Sequence, residues 1–312
     1  MTADSVHGLF IGGEWPAGHG VAEDINPSDT GDVVGRYAQG DASDAAAAVA
    51  AARGAAALWA SSTPQLRFDV LDFVGSEILA RKEELGRLLA REEGKTLPES
   101  IGEVSRAGAI FKFFAGEALR IPGDHIPSVR PGIEIDVTRE PLGVVVLITP
   151  WNFPAAIPAW KTAPALAFGN AVVLKPADLV PGSAWAMAEI ISRSGLPRGA
   201  FNLVTGRGSV IGDALVSNPD VAGVSFTGSV QVGTGVAAKC AARLARVQLE
   251  MGGKNPLVVL DDADIPVAVN AAVNGAFFST GQRYYIPPLS ILVYEKYKLE
   301  AATPPLVQLT PI

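Results

Sequence analysis

The sequence runs to 312 residues, 48% of them hydrophobic and 18% charged, with a positive mean hydropathy. That supplies one large or two medium hydrophobic cores. The formal net charge of -7 argues against nucleic acid or an anionic membrane as partner, since both select basic surface. No apolar run reaches the length of a membrane span, and Met1-Thr2-Ala3-Asp4-Ser5 lacks the basic and apolar regions of a signal peptide. A single cysteine, Cys240, excludes an internal disulfide, and His7, His19 and His125 are scattered without ligand spacing. These totals predict a cytoplasmic protein without a structural metal.

Residues 8–40 read as short strands and turns, with Gly12-Gly13, Asn26-Pro27 and Gly31-Asp32 as turn signals. An alanine-rich helix is predicted over 41–60, capped by Asp41 or Ser43. Thr63-Pro64 opens a second helix, with Phe68, Leu71, Val74 and Ile78 at helical spacing. A third covers 82–94 and a fourth 98–119. Residues 133–139 alternate apolar and polar, which suits a half-exposed strand at an edge or an oligomer contact.

From Pro141 the pattern changes to strand and helix in alternation, the signature of a parallel sheet. Leu142 to Ile148 reads as a buried strand that stops at Thr149-Pro150, because proline cannot donate to a ladder. Asn152 then stands just beyond the strand end, where open α/β sheets place their ligands. A helix over 155–167 follows, then a second buried strand, 171–174, delivering Lys175 to the same edge. Further strands are predicted at 201–205, 221–226, 246–250 and 257–260, the last closing the repeat, and a final helix at 265–278. The expected fold is an α/β, Rossmann-like doubly wound parallel sheet over residues 141–254. It is preceded by an N-terminal helical and strand arm (1–140) and followed by only a remnant of a catalytic domain (255–312).

Several polar groups recur at successive strand ends, and each has an ordinary alternative. Gly206-x-Gly208-x-x-x-Gly212 is one residue too long for the usual dinucleotide fingerprint and also fits a simple helix start. Thr227-Gly228-Ser229 fits a phosphate seat or an N-cap. Lys175 fits a partner for ribose or phosphate, or a surface lysine whose stem covers apolar residues. Asn152 fits a donor to a developing oxyanion, or a cap for the helix after it. Glu250 fits a general base or a structural carboxylate. Strand, helix, strand, with polar groups at each strand end, is a nucleotide-site layout.

Thr149-Pro150-Trp151-Asn152-Phe153-Pro154, Lys175-Pro176-Ala177, Phe226-Thr227-Gly228-Ser229, Leu249-Glu250-Met251-Gly252-Gly253-Lys254 and Phe278-Ser279-Thr280-Gly281-Gln282-Arg283 together resemble the aldehyde dehydrogenase superfamily, in order and spacing. Trp160 and the run from Lys175 to Pro181 resemble its bacterial 2-oxoglutarate semialdehyde dehydrogenases. The resemblance implies NAD(P)-dependent oxidation of a small aldehyde to a carboxylate, in a homo-oligomer. It implies that the Asn152 amide stabilises the oxyanion of a thiohemiacetal and that Glu250 activates water against the thioester. It implies a cofactor site formed by Ile148, Thr149, Trp151, Lys175, Asp178, Gly208, Phe226, Ser229 and Met251, with Lys175 and Asp178 beside the adenosine ribose. An acid beside that ribose disfavours an added phosphate, so NAD is expected over NADP.

The sequence departs from the family after Arg283. Tyr284 stands where the resemblance places a nucleophilic cysteine, and a phenol with its high pKa is a poor substitute for a thiolate. Cys240, in the helix after the phosphate-binding turn, reads as a small buried hydrophobe. Ser290 to Val293 resembles the strand after the nucleophile, whereas 301–312 matches nothing in the family. The expectation is a truncated, replaced or mis-assigned end and a chain inactive as written, which Tyr284→Cys alone would not rescue. The alternative of a different class is a non-catalytic nucleotide-binding module.

Overall fold

The computed structural model describes residues 5–253, 257–260, 262–281 and 291–294. They divide into two compact units, 1–250 and 251–312, each taken by itself below.

The chain enters through β1 (Val6–His7), β2 (Gly20–Ile25) and β3 (Val33–Gln39), a small sheet in the order β1-β3-β2. Helix α1 (Ala42–Ala60) starts at Asp41, whose carboxylate accepts the N–H groups of Ser43 and Asp44 while Asp44 accepts that of Asp41. Thr63 caps α2 (Pro64–Ala80) through its hydroxyl, as the Thr-Pro signal predicts. Helix α3 (Lys82–Glu93) ends at Gly94 with φ 87°, the left-handed C-cap that glycine adopts at no steric cost. The long α4 (Leu97–Ala118) follows. Next come β4 (Asp124–Pro127) and β5 (Glu134–Val137), an exposed antiparallel hairpin. The alternation at 133–139 predicts β5, but its partner β4 carries no comparable signal.

Then β6 (Val144–Ile148), α5 (Ala156–Ala167), β7 (Ala171–Lys175), α6 (Pro181–Ser192), β8 (Phe201–Leu203), α7 (Asp213–Ser217), β9 (Val221–Gly228), α8 (Val230–Ala241) and β10 (Arg246–Met251) build a five-stranded sheet ordered β10-β9-β6-β7-β8. The pairs β6–β7, β6–β9 and β7–β8 are parallel. Successive strand residues point to opposite faces. Val145, Leu147, Val172 and Leu174 therefore pack with α2, α4, α5 and α6 in one core, and Val144, Val146, Ala171 and Val173 pack with α1 and α7 in the other. This is the predicted doubly wound sheet. Its β8 edge is covered by the N-terminal segment, where Phe10 and Leu203 exchange both main-chain hydrogen bonds.

In the second unit, β11 (Leu257–Leu260), α9 (Ile265–Phe277) and β12 (Ile291–Tyr294) follow, with β11 and β12 paired parallel. This corrects one expectation. Residues 257–260 form a strand, but it pairs with 291–294 in a sheet of two rather than closing the five-stranded one. Periodicity identifies a strand and carries no information about its neighbour.

Candidate active site

Strand β6 lies at the centre of the sheet, and the chain proceeds from it to β7 on one side while β9 joins on the other. That reversal makes a crevice at the strand ends, the usual ligand position in such sheets. Parallel register sets Ile148 opposite both Lys175 and Phe226. The Thr149 N–H donates to the Lys175 carbonyl at 3.2 Å. Gly223 lies against Arg246, and Ser225 donates to Gln248 at 2.5 Å, an order of contacts that runs β9 and β10 in the same direction.

Lys175 is buried, and its ammonium lies 3.3 Å from the exposed Asp178 carboxylate. Burial lowers the lysine pKa from its ordinary value, partly offset by Asp178. A Cβ added at Gly208 would stand 3.8 Å from this ammonium, so Gly208 leaves the lysine open from that side. Gly208 to Gly212 form a π-helical turn, a geometry that often marks functional sites. Gly206, at φ 141°, is required by conformation: a Cβ there would come within 2.5 Å of Ile211 and 3.1 Å of the Gly40 carbonyl. The Gly206–Gly212 run thus leads into a helix start, with Gly208 beside the Lys175 ammonium.

Ser229 is the N-cap of α8, its hydroxyl accepting the Val232 N–H at 3.3 Å. Thr227 and Gly228 belong to β9 itself, not to a turn after it. The first turn of α8 carries no acidic residue, which leaves the positive end of its dipole free for an anion. Trp151 and Met251 are half exposed, at 41% and 39%.

Asn152 is 6% exposed and does not cap α5. The cap is Glu103 of α4, whose Oε1 accepts the N–H groups of Ala155 and Ala156 at 3.0 Å each. Its other oxygen accepts the Lys95 ammonium at 2.7 Å, and Lys95 also donates to the Asn152 carbonyl and lies 3.9 Å over the Phe153 ring. The Asn152-Phe153 backbone is therefore clamped by a buried ion pair, and the capping alternative for Asn152 falls away.

Glu250 is exposed, and its carboxylate accepts the Gln248 side-chain N–H at 2.9 Å. Gln248 Oε1 in turn accepts the Lys161 ammonium at 3.2 Å, and Lys161 also donates to Ser225 at 2.6 Å. Lys161 is 9% exposed, and burial pushes its pKa down to about 8, with the Glu250 charge opposing. Lys95, Glu103, Lys161 and Gln248 were not singled out from sequence. Lys161 had a usable signal, being the lone charged residue in α5; Lys95 and Glu103 had none.

Cys240 is fully buried in the second core, and burial raises its thiol pKa, as expected of an inert hydrophobe. Tyr284 and the expected segment around it lie outside the described residues. Among the described residues His19, Asp41 and Asp44 approach one another, but Asp41 and Asp44 are committed to the start of α1. No helix among them is long and apolar enough to cross a membrane.

The crevice of this doubly wound sheet thus has a buried asparagine, a buried lysine and a carboxylate near its strand ends. The family model "Aldehyde dehydrogenase family" matches residues 15–296, and the chain belongs to that family. It is 43% identical over 303 residues to an alpha-ketoglutaric semialdehyde dehydrogenase of Bacillus subtilis, covering 96% of this chain and 62% of the relative. It is 41% identical over 274 residues to an NADP(+) succinate-semialdehyde dehydrogenase of Escherichia coli, covering 88% of this chain and 57% of that one. A betaine aldehyde dehydrogenase of Staphylococcus aureus, solved in complex with NAD+, superposes with a TM-score of 0.89 at 36% identity, over 92% of this chain and 58% of that chain. The chain thus spans about three fifths of the length of these relatives.

Proposed function

We propose that this chain provides the dinucleotide site, the oxyanion donor and the water-activating carboxylate of an NAD(P)-dependent semialdehyde dehydrogenase. The observation that carries the reading is the register: Ile148, Lys175 and Phe226 stand level on adjacent strands, with Asn152 clamped just beyond them and Glu250 on β10.

The residues present fit a bound dinucleotide. Lys175, open beside Gly208, and Asp178 suit a ribose. The acid-free start of α8 at Ser229 suits the pyrophosphate. Ile148, Thr149, Trp151, Phe226 and Met251 complete the proposed lining, and the Thr149 hydroxyl is buried without a partner, an orphan that a ligand group would satisfy. When bound, the cofactor supplies the hydride acceptor. Before hydride leaves, the Asn152 amide would donate to the oxygen that gains negative charge as a thiolate, which the resemblance places at the Tyr284 position, adds to the aldehyde carbon. Glu250 takes a proton from the water that releases the carboxylate product. Residues 141–254 form the cofactor-binding part in this reading, residues 1–140 the arm, and 255–312 the start of the catalytic part. The aldehyde proposed is a semialdehyde such as 2-oxoglutarate semialdehyde, by analogy with the alpha-ketoglutarate semialdehyde dehydrogenases among its relatives. Homo-oligomerisation is proposed through the β4–β5 hairpin, where Ile126, Ile135 and Val137 are 43–45% exposed.

A second reading is favoured by one residue. Tyr284, in place of the resemblance's cysteine, supports a module that holds the dinucleotide without oxidising anything. Calorimetric titration with NAD+ and NADP+, followed by an absorbance assay with a semialdehyde, tests both. Binding that Lys175→Ala abolishes supports the shared site, and turnover by the unaltered chain excludes the module. Absence of binding overturns both.

A further inference from the structure

A buried ammonium without a carboxylate in direct contact is costly, and its partners show where its charge is used. Lys161 is such a group. It projects from α5 and reaches two neutral acceptors, Ser225 on β9 and Gln248 on β10. Gln248 is polar at both ends of its amide: the oxygen takes the ammonium at 3.2 Å and the nitrogen donates to Glu250 at 2.9 Å. A glutamine two residues before a glutamate on one strand lies on the same strand face, so the amide spans the gap between cation and anion. Three charged groups on elements packed against α5 are engaged elsewhere, and Arg106 of α4 is exposed. Glu103 of α4 holds the Ala155 and Ala156 N–H groups, Arg67 of α2 donates to the Ala167 carbonyl, and Lys175 at the end of β7 faces Asp178.

We propose that Gln248 is a positioning residue whose amide holds the Glu250 carboxylate in one orientation and transmits to it the charge of Lys161. A carboxylate held this way is aimed, because the amide donates to one of its oxygens and the ammonium polarises that amide. A base that activates water has to be aimed at it, and Gln248 holds that aim while Lys161 is charged. Above the titration of Lys161 the polarisation is lost and Glu250 is freed to turn. The inference rests on the reading of Glu250 as the base, although the coupling itself is measurable without turnover.

The test is a cycle on the full chain labelled with 13C-lysine, following the Lys161 side-chain resonance against pH by NMR and assigning it with Lys161→Arg. Glu250→Gln removes the charge and keeps an acceptor for Gln248. It is expected to lower the Lys161 midpoint by about half a pH unit or more, a change of about threefold or more in proton affinity. In a Gln248→Ala background the same substitution is expected to move the midpoint less than half as far, leaving only the direct Coulomb effect of the Glu250 charge. Both positions are exposed on β10, so folding is expected to be retained, and an unaltered denaturation midpoint verifies it. Equal shifts with and without Gln248 would show a through-space effect and overturn the proposal, as would no shift at all. Failure of NAD+ and NADP+ to bind would sink the proposed function while leaving this cycle intact, so the two failures are distinguishable.

Discussion

The Lys95 ammonium donates to the main-chain carbonyl of Asn152, 57 residues away in sequence, while pairing with Glu103 at 2.7 Å. Both side chains are almost fully buried, at 1% and 3% exposure. The same Glu103 caps α5 through Ala155 and Ala156. One ion pair thus fixes the segment that presents the proposed oxyanion donor and the helix that carries Lys161.

Lys95→Met would leave the Glu103 carboxylate buried without its cation, a loss of about 3–5 kcal/mol. Glu103→Gln keeps an acceptor for the α5 N–H groups and should cost less than Glu103→Ala. Denaturant unfolding of the three variants checks the order; a neutral Lys95→Met would show that the pair does not hold this segment.

Asp24 and Glu92 are two buried carboxylates facing each other, and Asp24 has no hydrogen-bond donor at either oxygen. Burial and the Asp24 charge raise the Glu92 pKa as well, against the opposing Gly182 and Ser183 N–H groups at the start of α6, so the pair shares a proton. Burial pushes the Asp24 pKa up to about 7 from 3.8. Over that window the native chain keeps a proton that the unfolded chain has released, so its stability falls as pH rises from about 4 to about 7. Asp24→Asn supplies a donor that does not titrate and should flatten the fall. Midpoints of thermal unfolding between pH 5 and 8 decide it, and parallel profiles for the two proteins would refute it.

Gly206→Ala places a methyl against Ile211 and the Gly40 carbonyl at a positive φ. A loss of about 1–3 kcal/mol is expected, with weaker NAD+ binding because the Gly208–Gly212 turn follows directly. Unchanged stability and affinity would show that the turn can relax.

Asp178→Ala is expected to raise the affinity for NADP+ relative to NAD+, since it removes the acid beside Lys175 at an exposed position and leaves the core untouched. The ratio of the two dissociation constants measures it, and an unaltered ratio would place the discrimination elsewhere.

Much of this architecture was legible in the sequence because its signals are local. Asp41, Thr63-Pro64 and Gly94 mark helix ends through contacts within a turn of chain, and Val144 to Ile148 reads as a buried strand from its side chains alone. The motifs at Asn152, Lys175, Ser229 and Glu250 likewise sit at strand ends that periodicity could find. Tertiary structure alone decided which strands are neighbours, that 257–260 leaves the main sheet, and that Glu103 rather than Asn152 caps α5. It also decided the Lys95–Asn152 and Lys161–Gln248–Glu250 linkages. Helix caps and strand alternation are set by residues a few positions apart. A lysine's partner 57 or 87 residues away is chosen by how whole layers pack, which no local pattern encodes.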